Sequence, residues 1–142
     1  MLVAEILKTK GPNVFAIGPS ATMAEACGEL RSRGVGALVV CDQERVVGVL
    51  SERDVVGAVA RDGAAGLERP VSHYMTGKVI FAEPGETVAV LMSRMTDRRI
   101  RHLPVLSDEV LVGVISIGDL VKCQIAEATH EAEAMRSYIA AG

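Results

Sequence analysis

Apolar residues along the chain fall into short runs and helical spacings that predict ten elements in two matching sets. Val14–Ile17 and Val79–Ala82 are short strand candidates, ended by Gly18-Pro19 and Pro84-Gly85. Thr22 then opens a helix to about Arg33, with Met23, Ala26, Cys27 and Leu30 at helical spacing. Its counterpart runs from Thr87 to about Asp97, with Val88, Leu91, Met92 and Met95 on one face. Thr22 and Glu25 have the spacing of a capping box, in which side chains satisfy free N–H groups at a helix start. Ala37–Val40 and Leu103–Leu106 read as buried strands. Each is followed by a polar turn, Asp42-Gln43-Glu44 or Ser107-Asp108-Glu109. Val46–Leu50 and Leu111–Ile115 close antiparallel hairpins, and helices begin at Ser51 and Ser116. Each set is β-α-β-β-α, so the fold class is α+β.

The two sets align without a gap at a shift of 65 residues. Val14 falls on Val79, Pro19 on Pro84, Thr22 on Thr87, Arg33 on Arg98, and Leu38 on Leu103. The densest agreement is Val47, Gly48, Val49, Ser51 and Asp54 over Val112, Gly113, Val114, Ser116 and Asp119. The chain is therefore read as a duplicated unit. One unit has a sheet face and two helices but little interior, so the expected fold packs two copies with pseudo-twofold symmetry, creating clefts where they meet. Residues 63–74, with Gly63, Gly66 and Pro70, read as the linker. The last helix is predicted to run to about Ala140. Val121, Ile125, Ala128, Ala132, Met135 and Ile139 form a heptad seam on it, either packed on its own domain or used for self-association.

Composition narrows the class. The 142 residues are 49% hydrophobic but only 3% aromatic, so the core must be aliphatic. A formal charge of -3 argues against a general nucleic-acid binder, which needs a broad basic surface. Cys27, Cys41 and Cys123 lie far apart without paired spacing, which fits a reducing compartment. No secretory pattern follows Met1, and no apolar run approaches the ~20 residues of a membrane helix. The expected location is the cytoplasm.

The sharpest chemical feature is the repeated strand-to-helix junction, Ser51-x-x-Asp54 and Ser116-x-x-Asp119. Locally, Ser at the N-cap and Asp three residues on make a helix cap. The same hydroxyl and carboxylate can also face a cleft. A carboxylate accepts paired hydrogen bonds from a ribose diol, and helix N-termini favour phosphate. A basic run, Arg98-Arg99-Ile100-Arg101-His102-Leu103-Pro104-Val105, precedes the second junction. Alternation puts Arg99 and Arg101 on one face, where guanidinium groups offer fork-shaped donors to phosphate. The first copy carries Gly34-Val35-Gly36-Ala37 there, and Arg53 is replaced by Gly118 in the second, so the two clefts differ in charge.

The repeat, the Pro-x-x-Thr helix starts, the Arg-His-Leu-Pro-Val strand and the Gly-Val-(Leu/Ile)-Ser-x-x-Asp junctions resemble tandem CBS domains. These regulatory units are named after cystathionine β-synthase and also occur in IMP dehydrogenase and the AMP-activated kinase γ subunit. Leu-Lys-x-Lys-Gly at 7–11, Ser-Glu-Arg-Asp at 51–54 and Ser-Ile-Gly-Asp at 116–119 are similar to stand-alone bacterial and plant-organelle CBS pairs. The resemblance implies CBS domains at 8–68 and 69–130, with a C-terminal helix over 119–141. It implies a homodimer that binds an adenosine nucleotide, AMP first and NAD(H) second. Ser51 and Asp54 with Arg53, and Ser116 and Asp119 with Gly118, would hold ribose and phosphate. Val79, Ile80 and Phe81 would read adenine in the first cleft, and Val14, Phe15 and Ala16 in the second. Arg99, Arg101 and His102 are phosphate candidates, beside Pro104 on the same strand, and Lys10 joins them.

No Ser-His-Asp order, paired carboxylate or Gly-x-Ser-x-Gly stands out, so no catalysis is expected. Glu127-x-x-His130 with Glu131 occurs once on one helix, reads as a solvated face, and implies no metal. The expected role is a sensor of energy or redox state that signals to an unidentified protein, with neither membrane nor nucleic acid as partner. The rival is an interaction scaffold with non-functional nucleotide clefts.

Overall fold

The computed structural model describes residues 1–11 and 13–141. In chain order the elements are α1 (Val3–Lys10), β1 (Ala16–Ile17), α2 (Met23–Arg33), β2 (Ala37–Asp42), β3 (Arg45–Ser51), α3 (Glu52–Asp62), α4 (Val88–Arg98), β4 (His102–Ser107), β5 (Val110–Ser116) and α5 (Ile117–Ala141). Short 3-10 turns over Gly63–Glu68 and Val71–His73 stand between α3 and α4. The chain divides into two compact units, Asn13–Ile80 and Met1–Pro12 with Phe81–Gly142.

The predicted helices and hairpins form in both units. The Thr22 and Thr87 hydroxyls accept the N–H groups of Glu25 and Val90, capping α2 and α4. β2 pairs antiparallel with β3, and β4 with β5. Both turns are two residues long, with positive φ at Gln43 and Glu44 and at Asp108 and Glu109, as a type I′ turn requires. Both hairpins shift register at the same point, between Val40 and Cys41 and between Val105 and Leu106. The repeat thus extends to the irregularity of the ladder. In the first-repeat unit, Met23, Ala26 and Leu30 of α2 bury against Leu38, Val40 and Leu50 of the hairpin, with Ala58 and Val71.

The first strands are shorter than expected, and unequally so. β1 is Ala16–Ile17, parallel to β2 through Ala16–Val39 and Ile17–Val40. In place of the predicted strand at Val79–Ala82 there is one bridge, Ala82 to Val105. Proline explains the difference. Val39 N–H donates to Phe15 O at 3.1 Å. At the shift of 65, Val39 becomes Pro104, which has no N–H to hold Ile80 in the same way.

Residues 63–74, expected as a linker, belong to the first-repeat unit. Val71 is fully buried there; its N–H donates to Ala21 O at 2.7 Å and that of Ser72 to Pro19 O at 3.0 Å. In the second-repeat unit α1 takes this role. Val3 is fully buried, its N–H donates to Glu86 O at 3.0 Å, and that of Ala4 to Pro84 O at 2.9 Å. Pro70 bridges Thr22 as Leu2 bridges Thr87. The acceptors Ala21 and Glu86, Pro19 and Pro84, are themselves repeat partners. Residues 69–72 and 1–4 are thus equivalent segments. The first repeat is completed by the segment that follows it, the second by one far upstream.

The equivalence continues at the hairpins. A Cβ on Gly48 would meet Met75 Sδ at 2.5 Å and Thr76 O at 3.0 Å, and a Cβ on Gly113 would run into Leu7 Cδ2. Glycine in each third strand admits this close approach. The helix expected at Ser116 is α5, a single 25-residue helix. Its early turns bury Leu120 and Cys123, and the residues from Ala128 to Ala141 are exposed. Of the two readings of the heptad seam, packing on its own domain is therefore ruled out for that part of the helix. No helix among the described residues is long and apolar enough to cross a membrane.

Candidate functional site

At the first junction, β3 ends on Ser51, whose extended backbone (φ -109, ψ 166) makes it the N-cap of α3. Its hydroxyl accepts Asp54 N–H at 3.3 Å. Asp54 Oδ2 in turn accepts the Ser51 N–H at 2.9 Å and the Ser51 hydroxyl at 3.1 Å. Glu52 N–H is taken by Gly36 O at 3.0 Å. This is a complete capping box. It uses only one oxygen of the carboxylate. Oδ1 of half-buried Asp54 accepts no hydrogen bond from the described residues.

The second junction repeats this arrangement and adds a cation. Asp119 N–H donates to Ser116 Oγ at 3.2 Å, and Ser116 N–H to Asp119 Oδ2 at 2.8 Å. Ile117 N–H is taken by Arg101 O at 2.8 Å. Lys10, the last residue of α1, places Nζ 2.8 Å from both Asp119 Oδ2 and Val114 O. Burial pushes the Asp119 carboxyl upward, but the Lys10 ammonium and the Ser116 N–H outweigh it, so its pKa lies below the ordinary aspartate value. Oδ1 again accepts nothing from the described residues. In the first-repeat unit, Thr76 N–H binds Val49 O at 3.0 Å, the counterpart of the Val114 carbonyl that Lys10 holds. Asp54 has no ion pair among the described residues.

The basic run is placed beside Ser116. His102 is the cross-strand partner of Ser116, and the Arg101 carbonyl anchors the first residue of α5. The matching neighbours of Ser51 are Ala37 and Gly36. The expected charge difference between the copies is therefore built into the ladder. Arg99 and Arg101 are exposed, but the strand alternation expected to put them on one face does not apply, since β4 begins only at His102. Arg99 is the C-cap of α4 in the left-handed region (φ 54, ψ 44), where the first repeat has Gly34 (φ 64, ψ 36). A non-glycine residue there costs about 1 kcal/mol. Pro104 is buried in β4, and its carbonyl accepts Ala82 N–H at 2.9 Å.

The expected adenine readers divide between the units. Val79 and Ile80 belong to the unit of Ser51 and Asp54, as do Val14, Phe15 and Ala16; Phe81 belongs to the unit of Ser116. All but exposed Ala16 are partly exposed. Arg53 and Gly118, inside the junctions, are exposed. Lys10, loosely placed by sequence, is in direct contact with a junction carboxylate, at 2.8 Å. The helix that positions it was not predicted, although Val3, Ile6 and Leu7 have helical spacing. Among the described residues no group of three or more His, Cys, Asp or Glu side chains could hold a metal ion.

Two repeats, each with a helix, a β-hairpin and a Ser-x-x-Asp junction opening a second helix, are what the CBS domain pattern matches, over residues 3–61 and 71–126. The chain belongs to the CBS-domain family. The mitochondrial CBS domain-containing protein CBSX3 of Arabidopsis thaliana is 31% identical over 149 aligned positions, covering 99% of this chain and 72% of its own length. The CBS-domain protein ATU1752 of Agrobacterium tumefaciens has a crystal structure with a TM-score of 0.86 and 42% identity, covering 87% of this chain and 99% of that one. The CBS domain protein PAE2072 of Pyrobaculum aerophilum, solved in complex with AMP, has a TM-score of 0.75 and 32% identity, covering 84% and 89%. The first CBS match starts at residue 3 and so takes in α1.

Proposed function

We propose that this CBS-domain pair is a regulatory module that binds an adenosine nucleotide at its Ser-x-x-Asp junctions, AMP first and NAD(H) second. The observation that carries the reading is the division of labour within each carboxylate. Oδ2 of Asp54 and of Asp119 caps a helix, while Oδ1 is left for an incoming hydroxyl such as that of a ribose. The AMP complex of the Pyrobaculum relative supports the ligand class. The second junction has Lys10, Arg101 and His102 around it and suits the more anionic ligand. On binding, Lys10 exchanges Asp119 for the ligand's phosphate. Ser51, Arg53 and Asp54 form the less cationic site. The module acts in the cytoplasm as a non-catalytic homodimer, sensing energy or redox state and passing it to another protein.

The pairing of Lys10 with Asp119 also favours a second reading, a scaffold whose nucleotide sites are non-functional. Calorimetry separates the two. On protein stripped of carried-over nucleotide, at least one of AMP, ADP, ATP and NAD(H) binds in the micromolar class; four flat titrations leave the scaffold. Arg99 adds a sharper check. Arg99→Gly relieves the left-handed strain and raises stability by about 1 kcal/mol, while AMP affinity falls. Denaturant midpoints and AMP titration of the same sample read both. A change that raises stability and leaves affinity untouched removes Arg99 from the site.

A further inference from the structure

We propose that the exposed stripe of α5 is a parallel, in-register coiled-coil seam with a second copy of this chain. The stripe is Val121, Ile125, Ala128, Ala132, Met135 and Ile139, alternating by four and three over 19 residues of unbroken helix. Ile125, Met135 and Ile139 are 61%, 61% and 71% exposed, too much apolar surface on one line to be a solvated face. In heptad terms Ile125, Ala132 and Ile139 are a positions, and Val121, Ala128 and Met135 are d positions. β-Branched residues at a favour two parallel strands. The alanines at the centre let two backbones come close.

The flanking charges decide the orientation. Lys122, Thr129 and Arg136 occupy e; Gln124, Glu131 and Tyr138 occupy g. In a parallel pair g faces the next e of the other helix, so Glu131 meets the partner's Arg136, and by symmetry this happens twice. In an antiparallel pair e faces e and g faces g. Lys122 would then oppose the partner's Arg136 twice, and Glu131 would oppose the partner's Glu131. Only the parallel arrangement brings opposite charges together. Neither Glu131 nor Arg136 has an ion pair with the described residues of its own chain, so both are available. This seam does not depend on the nucleotide reading.

Sedimentation equilibrium of the full chain tests it. The expected mass is that of a dimer, and Ile125→Glu/Ile139→Glu weakens the dimer at least tenfold with the circular dichroism unchanged, since both side chains lie outside the core. Met135→Cys, at a d position, gives a disulfide-linked dimer under mild oxidation beyond the level seen for the native chain with its three cysteines. Glu131→Arg and Arg136→Glu each weaken self-association, and an equal mixture of the two restores it. A monomeric native chain, a dimer indifferent to the double substitution, or a dimer that Met135→Cys does not link would each overturn the proposal.

Discussion

Val3→Asp destabilises the protein by about 3–5 kcal/mol, the cost of an uncompensated charge in the interior. Val3 is fully buried, and its N–H is tied to Glu86 O. Val71→Asp costs a similar amount, because Val71 holds the equivalent place in the other unit, fully buried with its N–H on Ala21 O. Urea unfolding of the two variants beside the native chain measures both. Loss of less than 1 kcal/mol at Val3 alone would mean that α1 does not complete the second repeat as residues 69–76 complete the first.

Asp119→Ala lowers AMP affinity about ten- to hundredfold, the worth of one hydrogen bond to a charged group. Asp54→Ala does the same at the other junction. Each also removes the carboxylate half of a capping arrangement, at about 1 kcal/mol of stability. The two roles separate because the affinity loss exceeds what the cap is worth and is read on folded protein. Asp119→Ala also frees Lys10 from its only carboxylate partner among the described residues, so retention of some affinity for a phosphate-bearing ligand over adenosine is expected there. At Asp54, which has no such cation among the described residues, that preference does not arise.

What the sequence made legible was local or repeated. Thr22, Thr87 and Ser51 signalled their helices because a cap binds within three residues of itself. The hairpins were legible because their turns are two residues long and polar, with alternation on either side. What stayed hidden was set by distance or by a missing atom. The use of residues 1–4 and 69–72 as equivalent parts depends on acceptors many residues away, and no local period reports that. The loss of the strand at Val79–Phe81 turns on the absent N–H of Pro104, a residue whose apolar side chain otherwise suits the strand pattern. Arg99 looked like part of an alternating strand, yet it takes the left-handed position that Gly34 marks in the first copy. The junction was half visible. Ser-x-x-Asp announced the cap, but only the geometry shows that capping occupies one carboxylate oxygen and leaves the other. Lys10 was a name on a motif until α1 put its ammonium on Asp119.

The most direct test is an AMP titration by calorimetry of the native chain, Asp54→Ala and Asp119→Ala, each stripped of nucleotide and checked for folding. Heat of binding with micromolar-class affinity in the native chain, and a weaker component lost separately in each variant, is the predicted result. Isotherms that are flat in all three, or identical in all three, would contradict it.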